Sequence, residues 1–336
     1  MERTLLFAII GCGRIANRHA EHIENYGKLV AVCDTDLAKR EDFTNRYKVP
    51  SFAVIDELLA SGITIDVTVV CTPNGLHALH CIKALNAGTH VLCEKPMAIN
   101  VNDCHAMIAA AEKASRLLFV VKQNRYNPPV AAVKQLISTK IFGRLYSFQL
   151  NCFWNRDADY YSNSWKGTKA LDGGTLFTQF SHFIDLVYWF FGDVETVHAI
   201  TSNYHHKGII EFEDTGMVLI RLKNGVTGTI NYTVNAHEKN MEGSLTIFGE
   251  KGTVKIGGQY LNKLEYENIE GFSIPALPPG KPSNNYGNYE GSMSNHDKVY
   301  ENVLAVINKN QPMDTTAFEA LKTVEIISKI YEAANR

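Results

Sequence analysis

The chain is predicted to fold as an α/β domain with a parallel sheet, followed by an α+β domain with a mostly antiparallel open sheet. Three observations predict this. Apolar strand-like runs alternate with helix-like stretches from residue 5 to about 122, the rhythm of a parallel sheet with helices on both faces. A glycine-rich turn ends the first run. Beyond residue 122 the rhythm gives way to two hairpin patterns, which pair antiparallel. The expected boundaries are 1–122 and 123–336.

In chain order, strands are expected at 5–10, 29–33, 66–71, 89–93 and 117–122, each a short apolar run of buried-strand length. Helices are expected between them at 14–25, 36–47, 55–60, 75–87 and 101–114. A helix at 129–138 then leads into a long strand, 144–154, and a Gly-Gly pair opens an apolar helix over 173–191. Met217–Leu222 and Thr227–Val234 flank Lys223-Asn224-Gly225 as one hairpin. Leu245–Phe248 and Thr253–Ile256 flank Gly249–Gly252 as another. Residues 271–295, rich in Pro, Gly, Asn and Ser, read as a long surface loop of the kind used as a lid or an oligomer contact. Helices at 296–308 and 315–334 close the chain.

Bulk properties narrow the class. A net charge of −2 over 336 residues argues against nucleic-acid binding. No apolar run reaches membrane-spanning length. Leu5–Ile10 begins a strand without the pattern of a signal peptide, so a cytoplasmic protein is expected. The seven cysteines form no Cys-x-x-Cys pair, and reduced core thiols rather than a metal site are expected.

Gly11-Cys12-Gly13-Arg14-Ile15-Ala16 follows the first strand and opens a helix. Gly11 permits the tight turn, Gly13 lets backbone approach a pyrophosphate, and Ala16 allows close helix–strand packing. The helix start at Arg14 and Ile15 offers unpaired amides to the phosphates. The second strand ends at Asp34, placed to bond the adenosine ribose hydroxyls. Thr35 and Asp36 follow it, with no arginine for a 2′-phosphate, so NAD is expected rather than NADP. Thr72-Pro73-Asn74 ends the third strand and is expected along the cofactor. His77 sits at the next helix start, either beside the cofactor or as a surface histidine.

His90–Cys93 is a strand that ends abruptly in Glu94-Lys95-Pro96. Ligands of open α/β sheets bind at such strand ends. The proline restricts Lys95 just before it, so the amine is aimed, and the X-Pro bond can be cis. Lys95 is therefore a candidate catalytic residue. Glu94 either holds it or caps a neighbouring loop.

The 173–191 helix is apolar nearly all round, so its polar residues need an account. Thr178, Ser181, His182 and Asp185 share one face at helical spacing. Asp185 is expected to reach the His182 imidazole and set its tautomer. Beside a strand-end lysine and a dinucleotide motif, His182 reads as a catalytic base.

These motifs together resemble the Gfo/Idh/MocA oxidoreductases, over essentially the whole length. Gly11–Ala16, Asp34, Thr72-Pro73-Asn74, Glu94-Lys95-Pro96, Gly173-Gly174…His182…Asp185 and Asp314…Ala320-Leu321-Lys322…Tyr331-Glu332-Ala333 stand in the family's order. The chain departs from the pattern at Thr178, where the family usually has an aspartate four residues before the histidine. Its lysine–aspartate–histidine trio is reduced to Lys95 and His182. Val121–Arg125, Phe153–Arg156, Tyr160-Tyr161, Trp165-Lys166-Gly167 and Thr178–His182 are similar to one branch, the UDP-N-acetylglucosaminuronate 3-dehydrogenases of surface-polysaccharide synthesis.

The resemblance implies an N-terminal Rossmann domain and NAD-dependent oxidation of a sugar hydroxyl. His182 would act as base and Lys95 would stabilise the alkoxide. Cofactor contacts are implied for Gly11, Gly13, Arg14, Ile15, Asp34, Thr72, Asn74, His77, Glu94, Lys95 and Gln123. Substrate contacts are implied for Lys95, Lys122, Asn124, Arg125, Arg156, Tyr160, Tyr161, Trp165, Thr178 and His182. Arginine suits the uronate carboxylate. Tyr160 and Tyr161 either stack on the uracil or sugar, or pack at the sheet edge. A homodimer or homotetramer through the C-terminal sheet is also implied. Other members of the fold oxidise inositol or other sugars, or bind the dinucleotide as regulators without catalysis.

Overall fold

The structure, a computed structural model, describes residues 3–162, 164–285 and 290–335. The chain divides into two compact units, Met1–Lys122 with His296–Val324, and Gln123–Asn295 with Glu325–Arg336.

The first unit alternates β1 (Leu6–Ile10), α1 (Arg14–Tyr26), β2 (Lys28–Cys33), α2 (Leu37–Tyr47), β3 (Ser51–Phe52), α3 (Ile55–Ala60), β4 (Val67–Val70), α4 (His77–Asn86), β5 (His90–Cys93), α5 (Val101–Ala114) and β6 (Leu118–Val120). The sheet order is β3-β2-β1-β4-β5-β6, and every pairing is parallel. Strand order reverses beside β1, which makes its carboxyl end the crevice of a doubly wound sheet. The central strands are apolar on both faces because helices cover both. The two-residue β3 escaped the sequence pattern because it is too short to show a period.

The second unit contains α6 (Pro128–Ser138), β7 (Leu145–Phe153), α7 (Ala158–Tyr161), α8 (Thr175–Thr178), α9 (Ser181–Phe191), β8 (Val194–Ser202), β9 (Thr215–Leu222), β10 (Thr227–Thr233), β11 (Glu242–Gly249), β12 (Gly252–Gly257), β13 (Lys263–Ile269), β14 (Ser283–Asn285) and β15 (Glu290–Met293). The large sheet runs β13-β12-β11-β7-β10-β9-β8 and is antiparallel except between β7 and β10. Strands β8 and β13 were not legible in the sequence because their patterns mix charged and apolar residues on both faces. Part of the expected 271–295 loop forms the β14–β15 pair, while its residues 286–289 lie outside the described ones.

The inner sheet face packs on α9. Phe148 stacks on Phe191 at 4.6 Å, and Trp154 meets Phe180 and Phe183 at 5.3 and 5.5 Å. On the outer face, Ile200 pairs with Met217 and His198 with Leu219. Ile200, Met217 and Leu219 are 75%, 64% and 60% exposed. The single helix expected over 173–191 is broken: α8 ends at Thr178, Gln179 and Phe180 bridge, and α9 starts at Ser181. Gly174 takes φ +138°, and a Cβ there would meet the Tyr331 hydroxyl at 2.3 Å. The glycine entry is therefore imposed by packing as well as by backbone.

Two helices close the chain, α10 (His296–Lys309) and α11 (Ala317–Ala334). Assigning all of 123–336 to the second domain is corrected here: α10 and the first half of α11 belong to the first unit. Tyr300 of α10 lies 5.7 Å from Phe7 and stacks on Tyr26 at 6.2 Å, burying its ring against α1 and β1. Among the described residues, no helix is long and apolar enough to cross a membrane.

Candidate active site

In the first unit, the glycine turn fits a dinucleotide. Gly11 has φ +90°, and a Cβ on it would strike the Cys71 carbonyl carbon at 2.8 Å. A Cβ on Gly13 would meet no protein atom within 4 Å. Protein packing thus does not require glycine at 13, whereas close approach of a pyrophosphate does. No side chain caps α1, and its first turn carries no acid, so the start of this helix suits an anionic group. Asp34 is oriented by the Cys12 amide at 2.7 Å and the Asp36 amide at 2.8 Å. Arg40 of α2, which sequence reading missed, donates to the Asp34 and Thr35 carbonyls at 2.6 and 3.2 Å. The signal was its place one helical turn inside α2.

The ends of β4 and β5 carry Thr72, Asn74, His77, Glu94 and Lys95. His77 is 1% exposed, which corrects its reading as a surface histidine. Its Nδ1 lies 2.7 Å from the Pro96 carbonyl oxygen and its Nε2 2.9 Å from that of Thr72. It joins the two loops. Burial opposes charge on this ring, but the Cys93 thiol and both carbonyls outweigh it and raise the pKa to about 9. Two carbonyl acceptors require two N–H donors, which only the imidazolium has.

Glu94 bonds the backbone of Lys95: its Oε2 accepts the Lys95 amide at 3.0 Å. Its Oε1 lies 2.8 Å from His19 Nε2 and 3.4 Å from His296 Nε2. Burial would raise the Glu94 pKa, but bonds from His19 and His296 hold it well below the carboxylate range. Burial pushes His19 down, so a neutral ring donates Nε2–H to Glu94 and accepts from the Tyr300 hydroxyl at Nδ1, 2.9 Å away. The ligand atoms of His19, Glu94 and His296 lie within 4.8 Å of one another. The short bonds from Glu94 make this grouping a clamp on the turn, whose Lys95-Pro96 bond is cis. Neither His19 nor His296 was expected at the site, since nothing local in the sequence links α1 or α10 to β5. Lys95 itself is half-buried. Lys122 is 2% exposed and donates to Thr323 at 2.9 Å.

In the second unit, the Gln123 amide lies 3.4 Å from Nε2 of His182. Asp185, expected beside His182, forms an ion pair with Arg125, which donates to it through Nε at 2.7 Å and Nη2 at 2.9 Å. Arg125 is 4% exposed and stacks on Trp189 at 4.9 Å. Buried polar atoms without a hydrogen-bond partner include Gln123 Oε1, both amide atoms of Asn124 and Ser181 Oγ, on or beside the residues of the Gln123–His182 contact. Each such group costs about 1–3 kcal/mol unless something bonds it.

Arg156 Nε donates to Gln179 Oε1 at 2.8 Å, and Gln179 donates to the Tyr160 hydroxyl at 2.8 Å. The Arg156 guanidinium also lies 5.0 Å from the Trp154 ring centroid. Lys166 sits 4.4 Å above the Tyr160 ring, and Trp165 is half-buried beside it. Two cations and an amphipathic ring thus come together. Tyr161, by contrast, is 5% exposed and packs on His206 at 5.3 Å, so of the two alternatives it takes the packing role. Thr178 is half-buried and donates to the Asp172 carboxylate.

Residues 5–122 match the oxidoreductase family with an NAD-binding Rossmann fold, and residues 130–255 match the GFO/IDH/MocA C-terminal domain. The chain belongs to the Gfo/Idh/MocA oxidoreductase family. It is an NAD-dependent oxidoreductase acting on CH–OH groups. Its fold superposes on the WlbA dehydrogenase of Bordetella pertussis, solved with NADH and UDP-GlcNAcA, with a TM-score of 0.89 and 34% identity over 99% of this chain and 97% of that one. The WlbA dehydrogenase of Chromobacterium violaceum, solved with the same two molecules, gives 0.89 and 35% over 100% and 95%. A levoglucosan dehydrogenase of Pseudarthrobacter phenanthrenivorans is 30% identical over 60% of this chain and 57% of its own.

Proposed function

We propose that this Gfo/Idh/MocA protein oxidises the 3-hydroxyl of UDP-N-acetylglucosaminuronate to the 3-keto sugar, an early step in bacterial surface-polysaccharide (O-antigen) synthesis. The observation that carries this is the likeness, at 34% and 35% identity over nearly full length, to two dehydrogenases solved with that nucleotide sugar. The chain's own chemistry agrees. Arg156 and Lys166 supply cations for a carboxylate or diphosphate, and Tyr160 offers the amphipathic face a sugar or uracil packs on.

NAD, when bound, accepts the hydride. Gly13 and the α1 amides hold its pyrophosphate and Asp34 its ribose. Thr72, Asn74 and Gln123 extend the cofactor contacts. Lys95, aimed by Glu94, bonds the reacting oxygen and steadies the alkoxide as it forms. His182 takes the hydroxyl proton as general base. Asn124, with both amide atoms unpaired, bonds the sugar.

The exposed strip Ile200, Met217 and Leu219 on the outer sheet face fits a homodimer or homotetramer built through that sheet. The levoglucosan dehydrogenase relative favours a second reading, a different sugar under the same chemistry.

The test is a pair of variants, Lys95→Ala and His182→Asn. Each is expected to keep NAD binding, followed by fluorescence, and to lose turnover by about 100-fold or more. Turnover at the wild-type rate in either variant removes that residue from the mechanism.

A further inference from the structure

Helix α10 lies outside both regions that match the family, residues 5–122 and 130–255. It nevertheless sends Tyr300 and His296 to the turn that ends β5. The Tyr300 hydroxyl lies 2.9 Å from His19 Nδ1, and His296 Nε2 lies 3.4 Å from Glu94 Oε1. Residues 296–324 share one compact unit with α1 and β5.

The protons along this contact can be assigned. Burial opposes charge on Glu94, but His19 and His296 outweigh it and keep the carboxylate ionised. An ionised carboxylate only accepts. His19 Nε2, 2.8 Å from it, therefore carries a proton. Burial keeps the His19 ring neutral, so Nδ1 is bare and accepts. Burial also holds the Tyr300 hydroxyl protonated, and it donates to Nδ1. The other Glu94 oxygen accepts the Lys95 amide at 3.0 Å. Hydroxyl, imidazole, carboxylate and amide thus form one directed chain. His19 and Tyr300 are 0% exposed and Glu94 is 5% exposed, so these bonds act in a dry interior, where they are electrostatically strong. The proton on Nε2 also separates the chain from a metal site, because a ligating nitrogen must be bare.

We propose that His19 and Tyr300 are positioning residues for Lys95, acting through Glu94 to fix the backbone from which the amine is presented to the reacting oxygen. Helix α10 is by this reading part of the catalytic apparatus and not only a closing element of the fold. The inference rests on the proposed role of Lys95 in sugar oxidation.

The chain can be cut at chosen links. Tyr300→Phe keeps the ring that packs on Phe7 and Tyr26 and removes only the hydroxyl. The amide of His19→Gln reaches about as far as Nε2, so it keeps a donor for Glu94 and leaves Tyr300 unmet. The amide of His19→Asn reaches about as far as Nδ1, so it meets Tyr300 and leaves Glu94 without that donor.

The experiment measures kcat, KM for NAD and for UDP-N-acetylglucosaminuronate, and melting temperature. The proteins are wild type, Tyr300→Phe, His19→Gln, His19→Asn and Lys95→Ala, and Lys95→Ala combined with His19→Asn or with Tyr300→Phe. His19→Asn should lower kcat roughly tenfold or more, with KM for NAD little changed. His19→Gln should recover most of that loss, and Tyr300→Phe should fall between wild type and His19→Asn. Added to Lys95→Ala, His19→Asn should lower the residual kcat by less than about twofold, since a group that acts through Lys95 then has nothing to place. A loss in that background as large as in wild type overturns the proposal. So does a wild-type kcat in His19→Asn, or an equal loss in His19→Asn and His19→Gln. Should His19→Asn melt below the assay temperature, the same comparison made with Tyr300→Phe decides. Wild-type turnover in Lys95→Ala overturns the catalytic assignment of Lys95 and this inference with it. Oxidation of levoglucosan and not of the nucleotide sugar overturns the substrate reading alone, and the same ratios measured on levoglucosan then decide.

Discussion

The imidazole of His77 ties the Thr72 carbonyl to the Pro96 carbonyl, at 2.9 and 2.7 Å. The loop expected along the cofactor and the turn that aims Lys95 therefore share one buried cation. Glu94, bonded to His19, also holds the backbone of that turn at Lys95. A buried histidine with both nitrogens used is a brace that a neutral ring cannot replace.

Replacing His77 with Leu leaves neither carbonyl bonded by this side chain. The expected outcome is a kcat reduced roughly tenfold or more through misplaced Lys95, with modest change in NAD affinity. Steady-state kinetics beside NAD titration check this. A change confined to NAD affinity would place His77 with the cofactor alone.

Gly13→Ala separates packing from ligand approach. A Cβ there meets no protein atom within 4 Å, and the position has an ordinary φ of −78°. The melting temperature should stay close to wild type, while NAD affinity falls at least about tenfold as the pyrophosphate loses its close approach. Unchanged NAD affinity would contradict the assigned cradle.

The Arg125–Asp185 pair is buried on both sides, with side-chain exposures of 4% and 2%. Asp185→Asn or Arg125→Met each strands a charge and should cost about 3–5 kcal/mol in denaturant unfolding. The double variant should cost less than the sum. Strict additivity of the two losses would show that the pair is not coupled.

Glu213 gives a pH signature. Burial raises its pKa from 4.5 to about 7, against the bonds it receives from Tyr331 and Tyr232. Its folded-state value lies above the unfolded one, so its stabilising contribution is complete below the unfolded value and is lost as pH rises through about 7. Asp172 shifts in the same direction, to about 6. The melting temperature should therefore decline between about pH 5 and about pH 8, and Glu213→Gln should flatten that decline. An identical slope in the variant would refute the assignment.

How far the sequence could be read depends on how local each feature is. The β1–α1 turn, Asp34 and the Glu94-Lys95-Pro96 turn were legible because each is contiguous and sits at a strand end. The break between Thr178 and Ser181 was not, because residues 173–191 keep helical periodicity and composition through it. The Arg125–Asp185 ion pair was not legible, because helical spacing shows which residues share a face but not which distant side chain bonds the carboxylate. His296 and Tyr300 were placed in the wrong unit for a similar reason: α10 returns to α1 through a contact 281 residues long in sequence, between His19 and Tyr300. Asp172 lay beside the glycine pair, but its bond to Thr178 arises only from the fold.

The central claim is most directly tested by incubating the purified protein with NAD and UDP-N-acetylglucosaminuronate, following reduced-nicotinamide absorbance and identifying the sugar by mass spectrometry. The account predicts NADH formation with a product two hydrogens lighter and a ketone at C3, and a far lower rate with inositol, free aldoses or levoglucosan. No oxidation of the nucleotide sugar, with rapid turnover of one of those other sugars, would contradict it.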